Sequence, residues 1–171
     1  VIPSNQIVKQ SSKSSAGTEA SNSNTSTFLE AFNSLYASIH FLASNPRVRS
    51  LVVSSAAPGD GKTTTALHLA QAAALMGQRV LLVDANLRQP QLHTSLGLPN
   101  VQGLSNLLAQ NLNPNDLIQH ELIQQSPTEG NLFVLTSGQL LSESTRLIAS
   151  ARMEYLMEQF QAAFDLVIYD T

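Results

Sequence analysis

Hydrophobic residues fall along this chain in short blocks, and the spacing inside the blocks switches between two periods. From Thr27 onward, Phe28, Phe32, Leu35, Ile39 and Leu42 recur at helical spacing. Thr27 and Glu30 stand three apart, the spacing of a capping box, so the helix is expected to begin at Thr27. Asn45-Pro46 closes it, because a residue before proline is driven out of the helical region. VRSLVVS (48–54) is then apolar with little alternation, as in a strand buried on both faces. The alanine-rich segment 62–76 predicts a helix, with Gly77 at its C′ position. RVLLVD (79–84), LFVLT (132–136) and LVIY (166–169) predict three more buried strands, the last running into Asp170. Short helices are expected at 104–110 and 114–123. A longer amphipathic helix is expected at 144–160, with Leu147, Ile148, Ala151, Tyr155 and Leu156 on one side.

Wholly apolar strands that alternate with helices predict a mostly parallel α/β sheet with helices on both faces. Ligands bind such sheets beyond the carboxyl ends of the strands. Three polar features fall at those ends: the loop AAPGDGKTTT (56–65), Asp84 and Asp170.

Residues 1–26 are a different material, rich in Ser, Asn and Thr and poor in large apolar residues. Such a segment buries too little surface to offset its ordering entropy, so it reads as a flexible linker ahead of one domain over 27–171. The chain opens on Val1 and stops at YDT, directly after the last predicted strand. It therefore reads as a piece of a longer protein, with its domain incomplete at the C-terminus.

Composition narrows the chemistry. The chain has 171 residues, 43% of them hydrophobic, enough for one domain with a real core. There is no cysteine, which excludes disulfides, thiolate-ligated zinc and iron–sulfur clusters. The formal net charge is -3 without a basic block, which argues against nucleic acid as a partner. No apolar run reaches the ~18 residues of a membrane span, and the start lacks the pattern of a signal peptide. His40, His68, His93 and His120 are scattered without metal-ligand spacing.

The loop at 56–65 matches the phosphate-binding pattern G-x-x-x-x-G-K-[ST], the Walker A motif, with Ala56 in its first position. Gly59 and Gly61 let backbone N–H groups approach an anion closely. Lys62 brings a positive charge to the phosphates, Thr63 offers a hydroxyl to Mg²⁺, and the following helix turns its N-terminus toward the anion. Pro58, Asp60 and Thr64 complete the loop. Asp170, at the end of an apolar strand, has the place of the Walker B acid that holds Mg²⁺. In LLVDANLRQP, Asp84 ends a strand, and Asn86 and Arg88 follow just beyond the sheet. These features predict a P-loop NTPase fold that binds ATP with Mg²⁺.

PGDGKTT, LLVDANLRQP, GLSNLL and FDLVIYDT, in that order, resemble the cytoplasmic domain of bacterial tyrosine kinases (BY-kinases), which are attached to chain-length regulators of exopolysaccharide and capsule synthesis. The resemblance spans roughly residues 30–171. It implies a protein-tyrosine autokinase with ATP as donor, and acceptor tyrosines phosphorylated in trans between neighbouring subunits of a homo-oligomeric ring. It also implies a membrane-embedded regulator as partner and a place on the cytoplasmic face of the inner membrane. Residue by residue, it implies Lys62 and Arg88 at the phosphates, Thr63 and Asp170 at Mg²⁺, and Asp84 near the metal and the attacking hydroxyl.

Three departures stand beside the resemblance. The second acid of the family's hhhDxDxR motif is Asn86 here, which removes one carboxylate. The family's E-x-x-R-x-x-R frame reads Glu30, Asn33, Tyr36, without its arginines. The prolines, later strands and tyrosine tail of the family lie beyond Thr171. The tyrosines at hand read as packing residues: Tyr169 in a buried strand, Tyr155 on the apolar side of a helix, and Tyr36 on the first helix with some exposure. Two alternatives stay open. One is a nucleotide-binding pseudokinase that acts as a scaffold. The other is a P-loop ATPase of the partitioning and division-site kind, although the lysine near the start of that group's loop is Ala57 here.

Overall fold

The computed structural model describes residues 16–42, 47–57, 59–109, 122–139 and 144–171. In chain order the elements are α1 (Ala16–Leu42), β1 (Ser50–Val53), α2 (Lys62–Leu75), β2 (Val80–Asp84), α3 (Leu92–Leu96), α4 (Leu104–Ala109), β3 (Ile123–Gln125), β4 (Leu132–Leu135), α5 (Ser144–Ile148), α6 (Ala151–Ala163) and β5 (Leu166–Asp170). The strands form one sheet in the order β1-β5-β2-β4-β3. The first four are parallel, and β3 pairs antiparallel with β4. This is the mostly parallel α/β fold that the hydrophobic pattern predicts.

The two-residue period of the strands sorts the core into two layers. Val80 and Leu82 of β2, with Leu166 and Ile168 of β5, face the alanine side of α2 (Ala66, Ala70, Ala73) and Tyr36 of α1. Leu81, Val83, Val167 and Tyr169 face the other way, against Leu104 and Leu107 of α4 and Met153, Leu156 and Phe160 of α6. Burial of Leu156 and of Phe160 stabilises the fold by roughly 2–3 kcal/mol each. The small side chains of α2 let its axis approach the sheet. Its C-terminus closes where the Gln78 N–H returns to Ala73 O at 3.1 Å.

Several boundaries differ from the sequence expectations. α1 begins at Ala16, so Thr27 and Glu30 lie inside the helix, and residues 16–26 are helical. No proline interrupts Ala16–Leu42, and one early glycine is a tolerable cost. Residues 1–15 lie outside the described residues. The helix buries Tyr36 and partly covers Phe32 and Ile39, whereas Phe28, Leu35 and Leu42 are exposed. Tyr36, expected to show some exposure, is thus a core residue. The expected helix at 144–160 is two helices. Ser150 ends the first and caps the second, its Oγ accepting from the Met153 N–H and donating to Leu147 O at 2.6 Å. Tyr155, expected on the apolar side, is 40% exposed and carries the Arg152 guanidinium over its ring. The helix expected at 114–123 falls mostly outside the described residues, but its last residue, Ile123, opens strand β3. Strand β1 is shorter than the 48–54 expected.

Beyond the carboxyl end of β4 the backbone crosses itself closely. A side chain on Gly103 would collide with Thr136 O and Gly138 N. Asn100 clamps the crossing, with Oδ1 accepting from the Gly138 N–H at 2.8 Å and Nδ2 donating to Gly138 O at 3.1 Å. Among the described residues no helix is long and apolar enough to cross a membrane.

Candidate active site

The parity that sorts the core also aims the site. Asp84 continues the face of Val80 and Leu82, and Asp170 continues that of Leu166 and Ile168, so both carboxylates leave the sheet on the α2 side. β2 and β5 are neighbours in parallel register, with Asp84 directly opposite Asp170. On α2, Thr63 lies three residues before the buried Ala66 and seven before Ala70, on the face turned to the sheet. These two placements meet: Thr63 Oγ1–H donates to Asp170 Oδ2 at 2.6 Å.

The loop that feeds α2 holds Gly59 at φ 85° and Gly61 at φ 84°, in the left-handed region that costs glycine little. Nothing lies within 4 Å of the place a Cβ would take on either glycine, so the cradle is open on its ligand side. Asp60 is a brace of the loop itself, its carboxylate accepting from the Ala57 N–H at 3.1 Å. Pro58 lies outside the described residues. Gly59, Gly61, Lys62, Thr63 and Thr64 line a cleft of about 560 Å³ together with Asn86, Arg88, Gln89, Gln91 and Thr171.

The two acids differ in their surroundings. Asp84 is fully buried, and burial raises its carboxyl from 3.8 to about 7. Backbone N–H bonds from Leu92 and Asn86, each 3.2 Å, oppose that rise, and the negative charge of Asp170 adds to it. Asp170 is also raised by burial, but the Thr63 hydroxyl and the charge of Lys62 pull it back. Asp170 Oδ1 is buried without a hydrogen-bond partner among the described residues. An orphaned carboxylate oxygen beside a threonine hydroxyl is the hard-oxygen donor set of a Mg²⁺ site. With the open glycine cradle and a lysine at the helix start, these residues fit a nucleotide with its Mg²⁺. Thr63 and Asp170 would hold the metal, and the loop and Lys62 would hold the phosphates.

Of the residues the sequence expectations name, Gly59, Gly61, Lys62, Thr63, Thr64 and Arg88 line this cleft, Asp170 bonds to Thr63, and Asp84 stands opposite Asp170, whereas Asp60 braces the loop and Pro58 lies outside the described residues. The expectations do not name Gln89 and Gln91, which also line the cleft, nor the N–H of Leu92, which holds Asp84. The only signal for these is their place directly after Arg88 in NLRQPQL. Tyr169, one residue from Asp170, faces away into the other core layer, where its hydroxyl is buried without a partner among the described residues.

The AAA domain family AAA_31 matches residues 48–171. The tyrosine-protein kinase YwqD of Bacillus subtilis is 36% identical over 142 residues, covering 83% of this chain and 57% of YwqD. The solved kinase domain of the Escherichia coli tyrosine kinase ETK aligns with a TM-score of 0.74 at 33% identity, over 84% of this chain and 54% of that one. The septum site-determining protein MinD of Pyrococcus horikoshii, solved with Mg-ADP, aligns more loosely, with a TM-score of 0.58 at 25% identity over 72% of this chain and 48% of that one. The chain thus spans less than two thirds of YwqD and of the ETK kinase domain. Its Walker A loop, its paired strand-end acids and this match over most of its length place the chain in the AAA_31 family of P-loop domains, as a relative of the bacterial tyrosine kinases.

Proposed function

We propose that this chain is the nucleotide-binding, catalytic part of a bacterial protein-tyrosine kinase, a transferase that uses ATP with Mg²⁺ for autophosphorylation. The observation that carries the reading is the 2.6 Å bond from Thr63 to Asp170, with Asp84 one strand away in register. It joins the end of the phosphate loop to two strand-end acids, both raised by burial. Bound ATP·Mg²⁺ supplies the phosphoryl group and most of the counter-charge. Lys62, at the first turn of α2, sets a positive charge against the phosphates, and Arg88, which also lines the cleft, adds a second. Thr63 and Asp170 are the metal-holding pair. Asp84, with its carboxyl near 7, is matched to accept the proton of a tyrosine hydroxyl at neutral pH.

The acceptors lie on other molecules in this reading. Of three tyrosines, Tyr36 and Tyr169 are buried, and Tyr155 sits on the outer face of α6. The reading includes transfer in trans to a tyrosine of a neighbouring subunit, in a homo-oligomer at the cytoplasmic face of the inner membrane. There a membrane-embedded chain-length regulator of exopolysaccharide or capsule synthesis is the partner. A second reading, a nucleotide-binding scaffold that transfers nothing, is favoured by Asn86, an amide where the kinase motif carries a second acid. The test is incubation with ATP·Mg²⁺ and an added tyrosine-containing peptide as acceptor, followed by mass spectrometry for phosphotyrosine on the peptide and on the chain. Phosphotyrosine that disappears in Lys62→Ala supports the kinase. Nucleotide binding without phosphotyrosine overturns it in favour of the scaffold.

A further inference from the structure

We infer that Asn86 is a phosphate-binding residue of the cleft, donating its side-chain amide N–H to the nucleotide's phosphate oxygens. The inference rests on the nucleotide reading above and assigns Asn86 a role that the acid of the kinase motif does not have. Asn86 lines the same cleft as Lys62 and Thr63. Its Oδ1 accepts from the backbone N–H of Gln89 at 3.1 Å. A backbone N–H is only a donor, so this bond fixes which end of the amide is oxygen. The oxygen is therefore occupied in holding the 86–89 turn, and the amide's remaining group, Nδ2, is a pure donor without a partner among the described residues. The backbone N–H of Asn86 is also engaged, with Asp84 Oδ1 at 3.2 Å. Main chain and side-chain oxygen thus pin the residue on both sides, and its NH₂ is held ready before any ligand arrives. A donor fixed in this way loses little freedom on binding an anion.

The electrostatics favour the same role. Asp84 and Asp170 already stand side by side on neighbouring strands. A third carboxylate at position 86 would add to their mutual repulsion and face the phosphates with like charge. The amide adds none, and a bond from it to a phosphate oxygen is charge-assisted.

The test measures the affinity of the intact chain for a fluorescent ATP analogue in EDTA, so that no metal enters, with two variants beside the natural chain. In Asn86→Asp the oxygen that caps Gln89 is kept, while NH₂ becomes a negatively charged acceptor. In Asn86→Ser a short hydroxyl still closes the turn, no charge is added and the amide donor is gone. The expected result is a loss of about tenfold for Asn86→Ser, with a greater loss for Asn86→Asp. Unchanged affinity in Asn86→Ser, even with a loss in Asn86→Asp, would mean that charge alone acts at this position and would overturn the inference. A natural chain that binds no ATP analogue, with or without Mg²⁺, overturns the nucleotide reading itself.

Discussion

Replacing Asp84 by asparagine tests the site through folding stability, independently of any activity. The Asp84 carboxyl is raised from 3.8 to about 7, first by burial. An acid whose folded pKa lies above its unfolded value binds more protons in the folded state between those two values. Stability therefore falls as pH rises from 3.8 toward 7 and stays at the lower level above that. Between about pH 5 and pH 8 the group crosses roughly two pKa units, at ~1.4 kcal/mol each, so this acid alone removes about 2–3 kcal/mol. Asparagine does not titrate. It surrenders one of the two acceptors that serve Leu92 and Asn86, a cost of about 1–3 kcal/mol that is the same at every pH. Asp170 is present in both chains and cancels to first order. The stability difference between Asp84→Asn and the natural chain should therefore move about 2–3 kcal/mol in favour of the variant from pH 5 to pH 8. Urea unfolding in EDTA at the two pH values measures it. A difference that stays constant within ~0.5 kcal/mol would show that Asp84 is an ordinary acid and would remove the basis for its role as proton acceptor.

Three further outcomes follow from the same geometry. Thr63→Val removes the hydroxyl that Asp170 accepts from, and should lose most of the Mg²⁺-dependent gain in nucleotide affinity, read by titration with and without the metal. Gly103→Ala forces a methyl group into Thr136 O and Gly138 N, and should cost at least about 3 kcal/mol or prevent folding, read by chemical denaturation. Tyr169→Phe deletes a buried hydroxyl that has no partner among the described residues, and should raise stability by about 1 kcal/mol, seen as a higher unfolding temperature.

The parts of the fold that are legible in the sequence are those where one local signal agrees with the tertiary outcome. VLLVD and LVIYD are apolar until their last residue because both faces of each strand are covered, and the acid marks the point where the sheet ends. Gly59, Gly61 and Lys62 sit where a strand gives way to a helix, which is the context their motif requires. The misses occur where tertiary contacts override local pattern. IQQ carries no alternation that marks a strand; it becomes β3 by pairing with the edge of β4. Leu147, Ile148 and Ala151 keep helical spacing across a break, because Ser150 changes the backbone without changing the period. Tyr36 is buried although its tip is polar, because α1 packs along α2. The Gly103–Gly138 crossing leaves no periodic trace at all. The part of the cleft lined by Gln89 and Gln91 was invisible for a similar reason, since these residues acquire meaning only once β2 lies beside β5.

The pairing of Asp84 with Asp170 has a consequence for how such a site tolerates change. The separation of the two acids is set by rungs of backbone hydrogen bonds, not by the loops that carry the rest of the cleft. Loops stretch continuously, but a ladder moves only in whole steps. A slip of one residue between β2 and β5 would turn one acid to the opposite face of the sheet, among the side chains of α6. A slip of two would restore the face but carry the acid ~7 Å along the strand, out of reach of its neighbour. No intermediate setting exists, so insertions and deletions in the connecting segments leave this spacing untouched, and errors in the strands abolish it outright.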